Sequence, residues 1–109
     1  MLEVKEYLPI GSIVYIKDAL KKVMIIGIMQ TSVAQEGKEK EFDYLGVCYP
    51  EGFLSVNTMC MFNQEHILEV VFRGYENGER TEFLDNMDQN IKTLLEIQKR
   101  RQKENGEKQ

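Results

Sequence analysis

The sequence has few of the residues from which catalytic and metal sites are built. Among 109 residues it has one histidine, His66, and two cysteines, Cys48 and Cys60. A catalytic histidine needs a nucleophile and an orienting partner, and the spacing of the sequence suggests neither. A zinc site made of these three residues would lack the usual close pairing of ligands and an obvious fourth ligand. We therefore expect a protein that is not an enzyme and holds no metal or cofactor, with His66 in a structural role.

Long apolar runs and targeting signals are missing as well. The start of the chain, MLEVKE, has no basic stretch followed by an apolar one, so no secretory signal peptide is expected. No apolar run approaches the roughly 20 residues that a membrane span needs. Cys48 and Cys60 lie in apolar, strand-like segments, where reduced thiols behave as small hydrophobic side chains. These features favour a cytoplasmic protein with two free thiols, and a disulfide between them is the alternative.

The charge is low and unevenly distributed. The formal net charge is −4, yet residues 99–109 carry +3, which leaves −7 for residues 1–98. An acidic body disfavours nucleic acid as the main partner, and the basic cluster at Lys99 lacks the interleaved aromatics of nucleic-acid sites. No phosphate-binding loop of the form GxxxxGK[ST] occurs. The cluster is either a solvated helix end or an electrostatic docking site for an acidic partner.

The apolar pattern predicts a small β-rich domain. Two apolar, β-branched runs, LPIGSIVYIK and KKVMIIGIMQ, are joined by a short polar gap, which is a hairpin signal. A polar loop is expected at Ser32–Glu41, and Asn63 is expected to cap a single helical turn before an alternating last strand through Leu68, Val70 and Phe72. The predicted strands before it are Ile13–Lys17, Lys22–Thr31, Phe42–Tyr49 and a short one beginning at Phe53–Val56.

The end of the chain has the period of a helix. An apolar stripe with spacings of three and four ends near Ile97, and its members are Phe83, Leu84, Met87, Ile91, Leu94 and Leu95. We expect an α+β fold, namely a bent antiparallel sheet of about five strands resembling an SH3-like barrel, with one C-terminal helix. Residues 1–98 would form a single domain and residues 99–109 a disordered, basic tail. The stripe must dock on the sheet of the same chain or on a partner, and a homodimer through this helix is one such arrangement.

Aromatic and methionine side chains supply the best candidate for a binding surface. Such residues are enriched at interface cores because they bring large, adaptable apolar area. The group comprises Tyr44, Tyr49, Pro50, Phe53, Met59, Met61 and Phe62. The alternative is that these residues are the core of a small domain. The residues that we expect to bind a partner are Tyr49, Pro50, Glu51, Phe53, Phe62, Lys99, Arg100 and Arg101.

Four segments between Tyr7 and Leu84 carry a resemblance to a known family. They are LPIGSIVYIK, KKVMIIGIMQ, FDYLGVCYPEGF and MFNQEHILEVVFRGY, and the most specific pieces are LPIGS, YPEG and Phe62-Asn63. Their order and spacing resemble the domain-of-unknown-function family 4176, small proteins of Gram-positive bacteria. The resemblance implies that the genes of family members lie near those of type VII secretion systems and of LXG-type toxins. No catalytic residues are established for the family, so the resemblance transfers none.

The resemblance and the absence of a catalytic pattern together suggest a binding function. We expect a non-enzymatic cytoplasmic adaptor or chaperone whose partner is a type VII, LXG-type secretion substrate or its small helical companion proteins. The alternative is an immunity-type protein that neutralises a toxin by binding it. Nucleic acid and a membrane span are not expected.

Overall fold

The computed structural model describes residues 2–33 and 39–107. They form two compact units, one that ends at Tyr75 and one that begins at Glu76. The first unit contains a β-sheet and the second a single helix, which confirms the predicted α+β class. The strands of the first unit are β1 (Ile13–Ile16), β2 (Val23–Val33), β3 (Glu39–Cys48), β4 (Cys60–Phe62) and β5 (Ile67–Phe72). Short 3-10 helices occupy Val4–Glu6, Val56–Thr58 and Gln64–His66.

The five strands form one antiparallel sheet in the order β4-β3-β2-β1-β5. The predicted hairpin joins β1 to β2, and the last strand returns to pair with β1. A barrel requires its edge strands to pair with each other, but β4 and β5 are the two edges of this sheet. The sheet is therefore open, and the resemblance to an SH3-like barrel that the sequence suggested does not extend to closure of the sheet.

The β2–β3 hairpin is longer than the sequence predicted. The pairing continues to Val33 and Glu39, through residues that we expected to belong to the polar loop Ser32–Glu41. Strand pairing is made by the backbone, so polar side chains do not end a ribbon that extends into solvent. Residues 34–38, the remainder of the predicted loop, lie outside the described residues. The register of this pairing shifts between Ile25 and Gly27, which indicates a β-bulge in β2.

The fourth strand lies later in the chain than predicted. Phe53–Val56 is not a strand, and β4 is instead Cys60–Phe62, which pairs with β3 through Tyr44 and Phe62. The apolar run at the end of this connection gains both backbone pairing and burial of Phe62, whereas residues 53–56 are exposed. The prediction therefore identified the right connection and placed its strand too early.

The core of the first unit is centred on Tyr44. Its ring lies 5.7 Å from the ring of Tyr7 and 5.4 Å from the ring of Phe62, measured between centroids. Its hydroxyl accepts a hydrogen bond from the Leu8 backbone N–H at 2.9 Å. These contacts fix the N-terminal segment to the sheet. The buried members of the core are Tyr7, Leu8, Val14, Ile16, Val23, Ile25, Tyr44 and Phe62.

The second unit is the helix α1, Gly78–Glu107. Its start is capped, because the Arg80 N–H donates to Asn77 Oδ1 at 3.0 Å. The helix continues past Ile97, where we expected it to fray, so the predicted division at residue 98 has no counterpart in the secondary structure. Residues 98–103 are Gln, Lys and Arg, which are good helix formers even where no apolar face continues. None of the described helices is both long enough and apolar enough to cross a membrane.

Candidate protein-binding surface

The residues predicted to bind a partner lie in three different settings. Tyr49, Pro50, Glu51 and Phe53 share the connection between β3 and β4, and all four are exposed. Phe62 is only 3% exposed and packs on Tyr44, so its assignment to a binding surface is wrong. The basic residues Lys99, Arg100 and Arg101 are exposed on α1 in the second unit. The predicted set is thus not one surface of one unit.

The connection begins with a tight turn held against the sheet. The Gly52 N–H donates to the Cys48 carbonyl at 2.8 Å, and the Tyr49 N–H donates to the Lys22 carbonyl at 2.9 Å. Gly52 has φ of 73°, a conformation that glycine adopts without steric cost. The YPEG segment therefore forms this tight turn. The turn holds Tyr49 at a fixed position directly after the end of β3.

An ion pair joins this turn to the turn between β1 and β2. Lys21 Nζ donates a hydrogen bond to Glu51 Oε2 at 2.5 Å. That hydrogen bond is the main reason why the pKa of the Glu51 carboxyl lies below its usual value. Leu20, which precedes Lys21, is fully exposed on the neighbouring turn. Both turns at this end of the sheet therefore present apolar side chains to solvent.

Local hydrogen bonds also order the rest of the connection. Thr58 Oγ1 donates to the Ser55 carbonyl at 2.8 Å and accepts from the Ser55 N–H at 3.2 Å. The Met59 N–H donates to the Val56 carbonyl at 3.3 Å, which closes the 3-10 turn. The backbone polar groups are thus partly satisfied within the loop. The apolar side chains between these anchors are left outside the core.

The exposed apolar side chains of this connection form what we call the loop surface, defined as Tyr49, Phe53, Leu54 and Val56. Phe53, Leu54 and Val56 are 61%, 65% and 72% exposed. Single exposed apolar residues are normal on soluble proteins, but a run of them is typical of an interaction site. The sequence left open whether the aromatic and methionine group is core or binding surface. Tyr44 and Phe62 belong to the core, whereas the loop surface does not.

Sequence reasoning missed a second exposed apolar element, the edge strand β5. Its alternating pattern predicted one buried face, yet Leu68, Val70 and Phe72 are all exposed. The register against β1 shifts twice, from Ile16↔Ile67 to Tyr15↔Glu69 and from Val14↔Val70 to Ile13↔Phe72. Leu68 and Val71 are therefore extra residues that interrupt the alternation. No signal in the sequence marks these irregularities.

The other candidate groups have structural settings. His66 Nδ1 accepts a hydrogen bond from the Asn63 N–H at 3.1 Å and so holds the predicted single turn together. Cys48 and Cys60 are free and partly buried. The pKa of the Cys60 thiol is raised, mainly by its burial and secondly by the charge of the nearby Cys48. Within residues 2–33 and 39–107, no three His, Cys, Asp or Glu residues are grouped so that they could hold a metal ion.

Comparison with known proteins gives one match. A family model described as "Domain of unknown function (DUF4176)" matches residues 7–83, which is more than half of the chain. No curated protein and no solved structure matches the chain.

Proposed function

The chain belongs to the family described as Domain of unknown function (DUF4176), and from that premise we propose that it is a non-enzymatic cytoplasmic adaptor or chaperone that binds another protein. The observation that carries this proposal is the loop surface, a run of exposed apolar side chains on an ordered connection. Aromatic side chains bury a large area on association and dominate interface energetics.

The order of the loop supports binding rather than incidental exposure. The turn at Gly52, the Lys21–Glu51 ion pair and the bonds between Ser55 and Thr58 fix the backbone on both sides of Phe53 and Leu54. A loop that is already ordered loses little conformational freedom when a partner docks, so more of the contact energy appears as affinity. The loop surface is therefore suited to act as a preformed anchor.

The identity of the partner comes from the family resemblance and not from the geometry. The partner that we propose is a type VII, LXG-type secretion substrate or one of its small helical companion proteins. An apolar anchor of this kind fits the apolar face of an amphipathic helix, which is the face such a partner would offer.

Co-purification with two separately produced parts of an LXG-type toxin tests the proposal. Recovery of the targeting region with the full chain supports the adaptor, whereas recovery of the toxic domain instead supports an immunity-type protein. Failure to recover either part would contradict both.

A pair of variants tests the role of the loop surface itself. Phe53→Ser combined with Val56→Ser should abolish co-purification while leaving the unfolding free energy almost unchanged. Leu68→Ser is the matched control, because Leu68 is equally exposed but lies on β5. Unchanged recovery with the double variant, or loss only with the control, would remove the loop surface from the proposal.

A further inference from the structure

A second feature of the first unit, distinct from the loop surface, is an open groove of about 540 Å³. The N-terminal segment, the facing parts of β2 and β3, and the turn after Asn63 all contribute to its lining. This volume lies within the range of about 300–1,000 Å³ that is typical of ligand sites. The groove is large enough for more than a single side chain.

The groove is rigid where β3 meets the turn at residues 63–66. The Asp43 N–H donates to Asn63 Oδ1 at 2.9 Å, and the Gln64 N–H donates to Asp43 Oδ2 at 2.9 Å. Gln64 Oε1 also accepts a hydrogen bond from the Tyr44 hydroxyl at 2.5 Å. These bonds connect the lining to the buried core, so the groove does not have to form when a ligand arrives.

The charged part of the lining has one sign. Three carboxylates line the groove, those of Glu41, Asp43 and Glu65, and none of the described lining residues is lysine or arginine. The nearby basic side chains are not among the lining residues: Lys40 Nζ is 5.3 Å from the centroid of the Phe42 ring, and His66 Nε2 is 3.9 Å from Glu65 Oε1. The pKa of the Tyr7 hydroxyl is raised, mainly by burial and secondly by the negative charge of Asp43. The second cause is the one expected beside a group of carboxylates.

The remaining lining is largely apolar and adaptable. Met29 and Phe42 lie on neighbouring strands, and Leu2 and Tyr7 come from the N-terminal segment. Met29 has φ of 52°, a left-handed conformation that is uncommon for a residue with a side chain. Its flexible thioether can adjust to a ligand of irregular shape.

We propose that this groove binds an extended peptide segment of a partner protein through an arginine or lysine side chain. Such a side chain has a long apolar stem and a charged end. The stem matches Met29 and Phe42, and the charged end matches Glu41, Asp43 and Glu65. The volume beyond one side chain accommodates the flanking residues of the peptide, which distinguishes this ligand from a free amine.

Titration of the full chain with a short peptide, acetyl-Gly-Val-Arg-Val-Gly-amide, tests the proposal by NMR. Addition of the peptide should shift the amide signals of residues 29–31, 41–43 and 63–65.

Two further probes are the same peptide with neutral citrulline in place of arginine, and acetyl-arginine-amide alone. Both should bind at least about fivefold more weakly, since the first lacks the charge and the second lacks the flanking residues. Raising the salt to 1 M should weaken binding of the arginine peptide, because the screening length falls to about 3 Å.

Matched variants separate the groove from general charge. Glu41→Gln combined with Glu65→Gln should weaken the peptide about fivefold or more. Asp43 is left unchanged because its carboxylate holds the turn. Asp18→Asn combined with Glu69→Gln removes the same charge outside the groove and should leave binding unaltered.

Several results would overturn the proposal. They are equal binding of the citrulline peptide, equal binding of acetyl-arginine-amide, shifts confined to other residues, and absence of binding at millimolar peptide. Variants of the loop surface should not change this titration, so a failure of the groove and a failure of the proposed function are distinguishable.

Discussion

The Tyr44 hydroxyl donates a hydrogen bond to Gln64 Oε1 at 2.5 Å. The Tyr44 hydroxyl oxygen also accepts a hydrogen bond from the Leu8 N–H, so one buried phenol joins the N-terminal segment, β3 and the turn after Asn63. Tyr44 also packs on Phe62, the residue opposite it on β4. The folded unit thus depends on a polar contact at the centre of an apolar core.

Tyr44→Phe should lower the unfolding free energy by about 1–3 kcal/mol, because it deprives the buried Leu8 N–H of its acceptor. Denaturant unfolding measures this loss. Tyr75→Phe is the control, since Tyr75 is exposed and should change stability by less than about 0.5 kcal/mol. Equal stability of both variants would show that water replaces the lost contact.

Two phenylalanines that the sequence grouped together should behave differently. Phe62→Ala should cost about 3–5 kcal/mol of unfolding free energy, because the side chain is buried against Tyr44. Phe53→Ala should have little effect on stability, because the side chain is exposed. Thermal or denaturant unfolding of the two variants compares them directly. A large loss with Phe53→Ala would mean that the loop surface is part of the core.

The contrast between Phe62 and Phe53 shows where sequence reasoning succeeds and where it stops. The β1–β2 hairpin, the single helical turn after Asn63 and the C-terminal helix follow from local chemistry and were predicted. Burial depends on which strand lies opposite, and nothing in the sequence states that Phe62 faces Tyr44.

The same limit applies at the sheet edges and in the candidate sites. Whether a bent sheet closes is decided by the pairing of its edge strands, and the extra residues on β5 are fixed by its register against β1. The groove unites segments that are far apart in the chain, so the sequence alone did not bring its three carboxylates together. Tyr49 and Phe53 belong to the group that the sequence singled out by its aromatic and methionine side chains, and both are exposed.

The Lys21–Glu51 ion pair should give a pH-dependent contribution to stability. Its hydrogen bond lowers the pKa of Glu51 in the folded state, so the contribution is present above the unfolded pKa and is lost as the pH falls through the folded pKa. Glu51→Gln should therefore lower the melting temperature at pH 7, and the difference from the parent chain should vanish in acid.

A variant of the partner provides the control for this experiment. In a Lys21→Ala background, Glu51→Gln should no longer change the melting temperature at pH 7, because the hydrogen bond is already absent. A difference between Glu51→Gln and the parent chain that persists at low pH would contradict the assignment to ionised Glu51.

Leu84 and Leu94 provide a matched pair on the stripe of α1. Leu94 is 59% exposed, whereas Leu84 is 5% exposed. Leu84→Ala should therefore lower the unfolding free energy by about 2–5 kcal/mol, and Leu94→Ala should hardly change it.

If the exposed part of the stripe binds a partner or a second copy, Leu94→Ala should instead weaken association. Sedimentation over a range of concentrations measures a homodimer, and the co-purification experiment measures a different partner. A stable Leu94→Ala variant with unaltered association would exclude this part of the helix as an interaction element. A large loss of stability would show that Leu94 packs within the chain after all.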